Sequence, residues 1–155
     1  MATTAKPIPD GLQRATPYLC CKDAAGAIEF YKKAFGAIET MRLAEPSGRI
    51  GHAEIKIGDA PIMLSDEYPE MDVRSPLSFG GSPVMIHLYV PDVDALTKQA
   101  VAAGATLVRP LEDQFYGDRS GTLADPFGHR WMIATHKEDV SPEELGKRYA
   151  ALMKQ

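Results

Sequence analysis

The sequence has few of the features that mark several large protein classes. Its 155 residues include two cysteines, the adjacent Cys20 and Cys21. Neighbouring residues of a strand point to opposite faces of a sheet, so we expect no disulfide between these two thiols. No apolar run approaches the roughly 20 residues that a membrane helix needs, so we predict no association with a membrane.

Positive charge is also scarce. The formal net charge is -4, and no stretch is rich in Lys or Arg. Since nucleic-acid phosphates attract a basic patch, we predict no nucleic-acid partner. The sequence also lacks a nucleophile-elbow motif and a phosphate-binding loop, so nothing in it favours a hydrolase of that type or a nucleotide-binding protein.

The N-terminal stretch "MATTAKPIPDG" has no apolar signal region. This composition predicts a flexible segment over residues 1–14 and a cytoplasmic location.

What the sequence does contain is an internal repeat. At a shift of 69 positions, "TPYLCCKD" falls on "MIHLYVPD", with Leu19 on Leu88 and Asp23 on Asp92. After a gap of one residue, "AIEFYKKAFGA" falls on "ALTKQAVAAGA", and both patterns predict an amphipathic helix ending at a left-handed glycine, Gly36 or Gly104. Three strand patterns follow in each half, so the repeat predicts two β-α-β-β-β modules.

The predicted fold is therefore α+β, with two modules forming curved mixed sheets around a concave site. We place a single domain at residues 15–137, with module one at about 15–68, a linker at about 69–82 and module two at about 83–137. Residues 138–155 are predicted to form a C-terminal helix, with Ser141 as N-cap, Pro142 in the first turn and an apolar stripe of Leu145, Tyr149 and Leu152.

A two-residue turn at Gly58-Asp59 sets the faces of the first hairpin. It places Glu54 opposite Met63, and His52 opposite Ser65, on one face that lines a concavity or solvent. The other face carries the apolar residues Ala53, Ile55, Ile57, Ile62 and Leu64 and is expected to pack under the helix.

In the second module, "DPFGH" takes the place of this turn. Asp125 is expected to cap the turn through its carboxylate, a sufficient role for Asp125 and His129 without any catalytic one. Strand alternation sends Trp131 to the core beneath the helix.

With "AIEFYKKAFGA", "HAEIKIGDAPIMLSDE", "VPDVDALTKQAVAAGA" and "YGDRSGTLADPFGHRWMIATH" in this order, the chain resembles the vicinal oxygen chelate superfamily. Within that superfamily it is similar to the glyoxalase/bleomycin-resistance group and to its PhnB-like members. The resemblance implies a homodimer with sites near the subunit interface. It also implies that the metal positions of metal-using members correspond here to Thr16, Met63, Met85 and Met132.

Three methionines and a threonine are poor ligands for Zn²⁺, Ni²⁺ or Mg²⁺, which prefer imidazole, thiolate or carboxylate donors. We therefore favour no cofactor and expect a soft apolar lining for a small-molecule ligand. The favoured function is metal-independent binding of a small molecule. Sequestration of an antibiotic or another amphipathic compound is the role that we expect from such binding. The predicted ligand-binding residues are Tyr18, His52, Glu54, Met63, Met85, His87, Tyr89, Phe115, Arg119 and Met132.

Two alternatives stay open. In the first, His52, Glu54 and His87 form a displaced site for a divalent metal, and the chain is a metal-dependent lyase, isomerase or dioxygenase. In the second, the scaffold is an interaction module without a cavity. For Arg119, binding of a ligand carboxylate or phosphate competes with simple pairing to Asp118 or Asp125.

Overall fold

The computed structural model describes residues 4–155, which divide into two compact units after Gly81. Each unit contains one four-stranded sheet with a helix packed against it. The α+β class and the β-α-β-β-β order are confirmed in both units. Within the described residues, no helix is long and apolar enough to cross a membrane.

The elements of the first unit are β1 (Tyr18–Cys21), α1 (Ala24–Phe35), β2 (Ile38–Ala44), β3 (Ile50–Ile57), β4 (Ala60–Asp66), a 3-10 turn (Pro69–Met71) and the short helix α2 (Pro76–Phe79). Its strands lie in the order β1-β4-β3-β2. The β1-β4 pair is parallel, and the other two pairs are antiparallel.

The second unit repeats this arrangement with β5 (Met85–Tyr89), α3 (Val93–Ala103), β6 (Thr106–Asp113), β7 (Asp118–Ala124) and β8 (Arg130–His136), followed by α4 (Pro142–Leu152). Its strands lie in the order β5-β8-β7-β6, again with one parallel pair, β5-β8. The connectivity thus follows the repeat in the sequence.

Both repeated helices begin at an aspartate. The carboxylate of Asp23 accepts from the backbone N–H of Gly26, and that of Asp92 accepts from Ala95. Each bond satisfies a donor that the first turn of a helix leaves unpaired. Helix α1 ends at Gly36 in the predicted left-handed conformation, whereas Gly104 after α3 has a φ of 123° and a ψ of 2°, outside that region.

The predicted faces of the first hairpin are confirmed. The Gly58-Asp59 turn fixes the register of β3 and β4, so that Glu54 lies opposite Met63. The side chains predicted to face the helix are all buried: Ala53, Ile55, Ile57, Ile62 and Leu64. They form the core together with the apolar face of α1, so the opposite face of the sheet is left for other roles.

The core of the second unit is centred on Trp131, which is fully buried as predicted. Its indole N–H donates to Asp125 Oδ2 at 2.9 Å. The other carboxylate oxygen of Asp125 accepts from the backbone N–H groups of Phe127 and His129, both at 2.9 Å. Asp125 therefore has the structural role that the turn sequence predicted, and it also satisfies the polar atom of the largest core side chain.

Ser141 caps α4 as predicted, since its hydroxyl accepts from the backbone N–H of Glu144. Arg148 holds this helix to the unit by donating to the Phe115 carbonyl and to the carboxylate of Glu138. The predicted apolar stripe is covered only in part, because Leu145 is half-buried while Tyr149 and Leu152 are exposed.

His136, at the end of β8, makes a further attachment. Its Nδ1 lies 2.7 Å from Asp118 Oδ1, and its Nε2 lies 2.7 Å from Asp139 Oδ1 in the segment that leads to α4. Ionised carboxylates only accept hydrogen bonds, so both ring nitrogens donate and the ring is the imidazolium form. The hydrogen bond to Asp118, followed by that to Asp139, raises the pKa of His136.

Truncation of the buried face of β4 is expected to destabilise the protein far more than truncation of its other face. Leu64→Ala leaves a cavity under α1 and should lower the free energy of unfolding by about 2–5 kcal/mol. Met63→Ala, at the adjacent half-buried position, should cost less than about 1.5 kcal/mol. Urea unfolding of the two variants measures the difference, and equal losses would contradict the assignment of faces.

The His136 contacts predict a pH-dependent stability. Because the folded-state pKa is raised, their contribution is complete below the pKa of an unfolded histidine, about 6.5, and is lost as pH rises through the folded-state value. His136→Asn should therefore lower the melting temperature more at about pH 5.5 than at about pH 9. Lys147→Ala is the control, since the ion pair of Lys147 is with Glu143 of the same helix and does not join α4 to β8. If His136→Asn lowers the melting temperature equally at both pH values, the His136 contacts with Asp118 and Asp139 do not stabilise the fold in this way.

Candidate functional site

The first sheet carries a mixed polar and apolar surface on the side away from α1. We call this surface the first open face and define it by Tyr18, His52, Glu54 and Met63. The strand register brings Tyr18 and Glu54 to either side of Met63. Tyr18 is 52% exposed, whereas the other three side chains are half-buried. All four were predicted site residues, and one sheet holds them together.

A chain of hydrogen bonds links three of these side chains. The Tyr18 hydroxyl lies 2.8 Å from His52 Nδ1, and His52 Nε2 lies 3.2 Å from Glu54 Oε1. In the tautomer that carries its proton on Nε2, the ring donates to Glu54 and accepts at Nδ1 from the Tyr18 hydroxyl. The sequence placed His52 and Glu54 on one face but gave no indication of the bond to Tyr18.

Cys20 follows Tyr18 by two residues on β1 and lies opposite Ser65. Burial, followed by the charges of Glu67 and Asp66, raises the pKa of its thiol to about 11. The thiolate is the form that binds metals and attacks electrophiles, so Cys20 is an inert thiol at neutral pH.

The second sheet has a corresponding surface on the side away from α3. We call it the second open face and define it by Met85, His87, Tyr89 and Met132. His87 lies opposite Met132 in the parallel β5-β8 pair, where the first sheet has Tyr18 opposite Met63. The rings of His87 and Tyr89 are in contact, with centroids 4.5 Å apart. Tyr89 is 60% exposed and Met85 is 50% exposed, so much of this face is accessible.

A buried carboxylate lies at one end of the second open face. The Tyr89 hydroxyl donates to Asp118 Oδ2 at 2.6 Å, while the other oxygen accepts from His136. Burial acts to raise the pKa of Asp118, but the hydrogen bonds from Tyr89 and His136 outweigh it and lower the pKa. Asp118 is therefore ionised, and it fixes the position of the Tyr89 ring.

A small cavity lies beside Met132. Its volume is about 160 Å³, and its lining includes Arg109, Glu112, Tyr116, Ser120, Thr122 and Met132. An engineered apolar cavity of about 150 Å³ binds benzene, so this space admits one ring or a headgroup of that size. A drug-sized ligand needs about 300 Å³ or more, and most of it would have to lie outside this cavity.

Two predicted site residues have structural partners. The Phe115 ring packs against Tyr116 and against Tyr149 of α4, with centroid distances of 5.2 and 5.7 Å. Arg119 does pair with carboxylates, but the partners named from the sequence, Asp118 and Asp125, are wrong. It binds Asp94 at 2.9 Å and Asp113 at 3.3 Å, which occupy its guanidinium group.

Metal ligands are not grouped in the described part of the chain. Within residues 4–155, no set of three or more His, Cys, Asp and Glu side chains is arranged to hold a metal ion. In the first unit, His52 and Glu54 bind each other. The set of His52, Glu54 and His87 stays a hypothesis.

Sequence reasoning missed the contribution of β7. Thr122 lies opposite Met132, so strand alternation places Ser120 and Asp118 on the second open face as well. The sequence did contain a signal for these residues, because the alternation of side chains along a strand correctly assigned the faces of the first hairpin. The longer "DPFG" turn left the register open, and a shift of one residue exchanges the two faces.

Comparison with known proteins gives a consistent result. The model of the Glyoxalase/Bleomycin resistance protein/Dioxygenase superfamily matches residues 11–133. A Mycobacterium bovis protein, Mb0911c, is 47% identical over 133 residues, covering 84% of this chain and 88% of its own.

Solved structures also match. The At5g48480 gene product of Arabidopsis thaliana is 28% identical with a TM-score of 0.63, over 79% of this chain and 98% of its own. The PhnB protein of Bacillus cereus shares the fold, with a TM-score of 0.63 at 18% identity, over 79% of this chain and 99% of its own. The resemblance to the superfamily is thus confirmed, and the chain belongs to the Glyoxalase/Bleomycin resistance protein/Dioxygenase superfamily.

Proposed function

We propose that this protein binds an amphipathic small molecule on its open faces without using a metal. The observation that carries the proposal is the pairing of methionine with aromatic and polar side chains at matching positions of the two sheets. Tyr18 lies opposite Met63, and His87 lies opposite Met132. Thioethers adapt their shape to irregular apolar groups, while the neighbouring polar atoms give orientation.

The cavity beside Met132 supports binding of a ring or compact headgroup. Its lining combines the Met132 thioether with the hydroxyl-bearing side chains of Tyr116, Ser120 and Thr122. Arg109 and Glu112 add one charge of each sign, so a ligand group with both donors and acceptors is favoured over a purely apolar one. The remainder of the ligand would contact the exposed Tyr89 and Met85 side chains of the second open face.

The donor atoms do not fit the divalent metal that metal-using superfamily members hold. The corresponding positions carry thioethers and one hydroxyl, which bind such ions poorly. His52, on the same open face as Met63, uses Nδ1 for Tyr18 and Nε2 for Glu54. Metal binding there would break at least one of these bonds, so binding without metal is the better use of the site.

Binding alone is enough for sequestration of an antibiotic or another harmful compound, and we propose this as the biological role. We also propose a homodimer. The exposed apolar side chains of α2, Leu77 and Phe79, support burial of this segment against a second copy.

The test is a ligand screen by thermal shift and calorimetry, using amphipathic antibiotics, bleomycin among them, and aromatic metabolites. A true ligand at about 100 times its Kd should stabilise the protein by roughly 2.7 kcal/mol. We expect Met132→Asp to weaken that binding about tenfold or more, because the new carboxylate replaces the soft lining with an unpaired charge.

The matched control is Lys147→Ala, an exposed position on α4 whose one ion pair is with Glu143 of the same helix. This variant should bind as the unmodified protein does. The proposal fails if no compound of the panel stabilises the protein, or if Met132→Asp binds every hit with unchanged affinity.

A further inference from the structure

The hydrogen-bond chain on the first open face has the order of a nucleophilic triad. A carboxylate, Glu54, lies 3.2 Å from one nitrogen of an imidazole, and a hydroxyl lies 2.8 Å from the other nitrogen. In such an arrangement the acid holds the imidazole in the tautomer that can remove the proton of the hydroxyl. Here that hydroxyl belongs to Tyr18, a residue that is 52% exposed.

The other exposed tyrosines show what is particular to Tyr18. Tyr149 is 53% exposed, and among the described residues its hydroxyl has no hydrogen-bond partner. Tyr89 is 60% exposed, and its hydroxyl donates to the Asp118 carboxylate, which raises the pKa of Tyr89. The three tyrosines are thus nearly equally exposed, but the groups that lie next to their hydroxyls differ. Of these three, Tyr18 alone has an imidazole in that place.

We infer that Tyr18, with His52 as its base and Glu54 as the group that orients the base, is a nucleophilic hydroxyl that accepts an acyl group from activated esters. Tyr18 Oη attacks the ester carbonyl carbon, and its proton passes to His52 Nδ1. The new Oη–C bond replaces the bond to the alcohol part of the ester, which leaves with the electron pair. Glu54 stabilises the imidazolium, which then returns its proton to water.

Met63 indicates the kind of ester that reacts best. It lies directly opposite Tyr18 across the β1-β4 pair, so its thioether is on the same face of the sheet as the Tyr18 side chain. A thioether contacts aromatic rings favourably, by about 0.3–1.5 kcal/mol. Aryl esters, which also have good leaving groups, are therefore the substrate class. This activity needs only the first unit, whereas the binding test depends on Met132 of the second unit, so the failure of one proposal is distinguishable from the failure of the other.

The experiment uses p-nitrophenyl acetate on the full-length chain. Release of p-nitrophenolate is followed by absorbance, and acetylated tyrosines are located and timed by peptide mass spectrometry. General-base assistance typically accelerates such steps by 10²–10⁴, and because the site is open to water we expect acetylation of Tyr18 about tenfold or more faster than that of Tyr149. Tyr89 should react no faster than Tyr149. Equal rates for Tyr18 and Tyr149 would overturn the inference.

Substitution of His52 shows whether the rate at Tyr18 depends on the imidazole or only on the exposure of the tyrosine. In His52→Gln the rate at Tyr18 should fall to that of Tyr149, while the rate at Tyr149 in the same molecules stays unchanged and reports an intact fold. His129→Gln, at a histidine in the turn between β7 and β8, is the matched control and should leave Tyr18 unaffected. Tyr18→Phe should remove the rapid phase of p-nitrophenolate release. A rapid phase that survives Tyr18→Phe, or a Tyr18 rate that survives His52→Gln, would contradict the proposed chemistry.

Discussion

Side chains alternate between the two faces of each strand, and the rest of this structure depends on that constraint. In each sheet, one set of side chains is buried beneath a helix, and the residues between them are driven to the opposite face. Burial of Ile55, Leu64 and Trp131 thus determines where His52, Glu54 and Met132 lie. The hydrophobic effect sets the register of the strands, and the register assembles the candidate site.

The two units use this one scaffold for different chemistry. Met63 and Met132 occupy matching positions, but their neighbours across the parallel pairs are Tyr18 in one unit and His87 in the other. On the antiparallel side, Glu54 of the first unit is matched by Thr122 of the second. The first unit therefore has a hydrogen-bonded chain of Tyr18, His52 and Glu54, whereas the second has a small polar cavity next to a methionine.

The sequence predicts the backbone well because its signals are local. The caps at Asp23 and Ser141, the glycine after α1 and the turn at Gly58-Asp59 each act within a few residues, and all four are present in the structure. Alternation then assigns Trp131 and the apolar residues of β3 and β4 to the core, because burial of one face leaves no second choice of register.

Side-chain partners were much less predictable. The bond between Tyr18 and His52 joins residues 34 positions apart, and the contact of Tyr89 with Asp118 spans 29 positions. Such contacts depend on rotamers and on how strands from distant parts of the chain are aligned. Arg119 is an example, because its partners are Asp94 and Asp113 rather than the nearer Asp118. In β6, register shifts around Arg109 further obscured which of its residues line the cavity.

Metal content is the most direct test of the central claim, that the open faces bind a ligand without a metal. The protein, purified without an affinity tag, would be incubated with Zn²⁺, Ni²⁺, Mn²⁺ and anaerobic Fe²⁺, and the metal retained per chain measured by mass spectrometry. We predict retention far below one equivalent, because thioethers replace the usual ligands and His52 already serves Tyr18 and Glu54. Near-stoichiometric retention that is lost in the His52→Gln and His87→Gln variants would contradict the account and favour a metal-dependent enzyme.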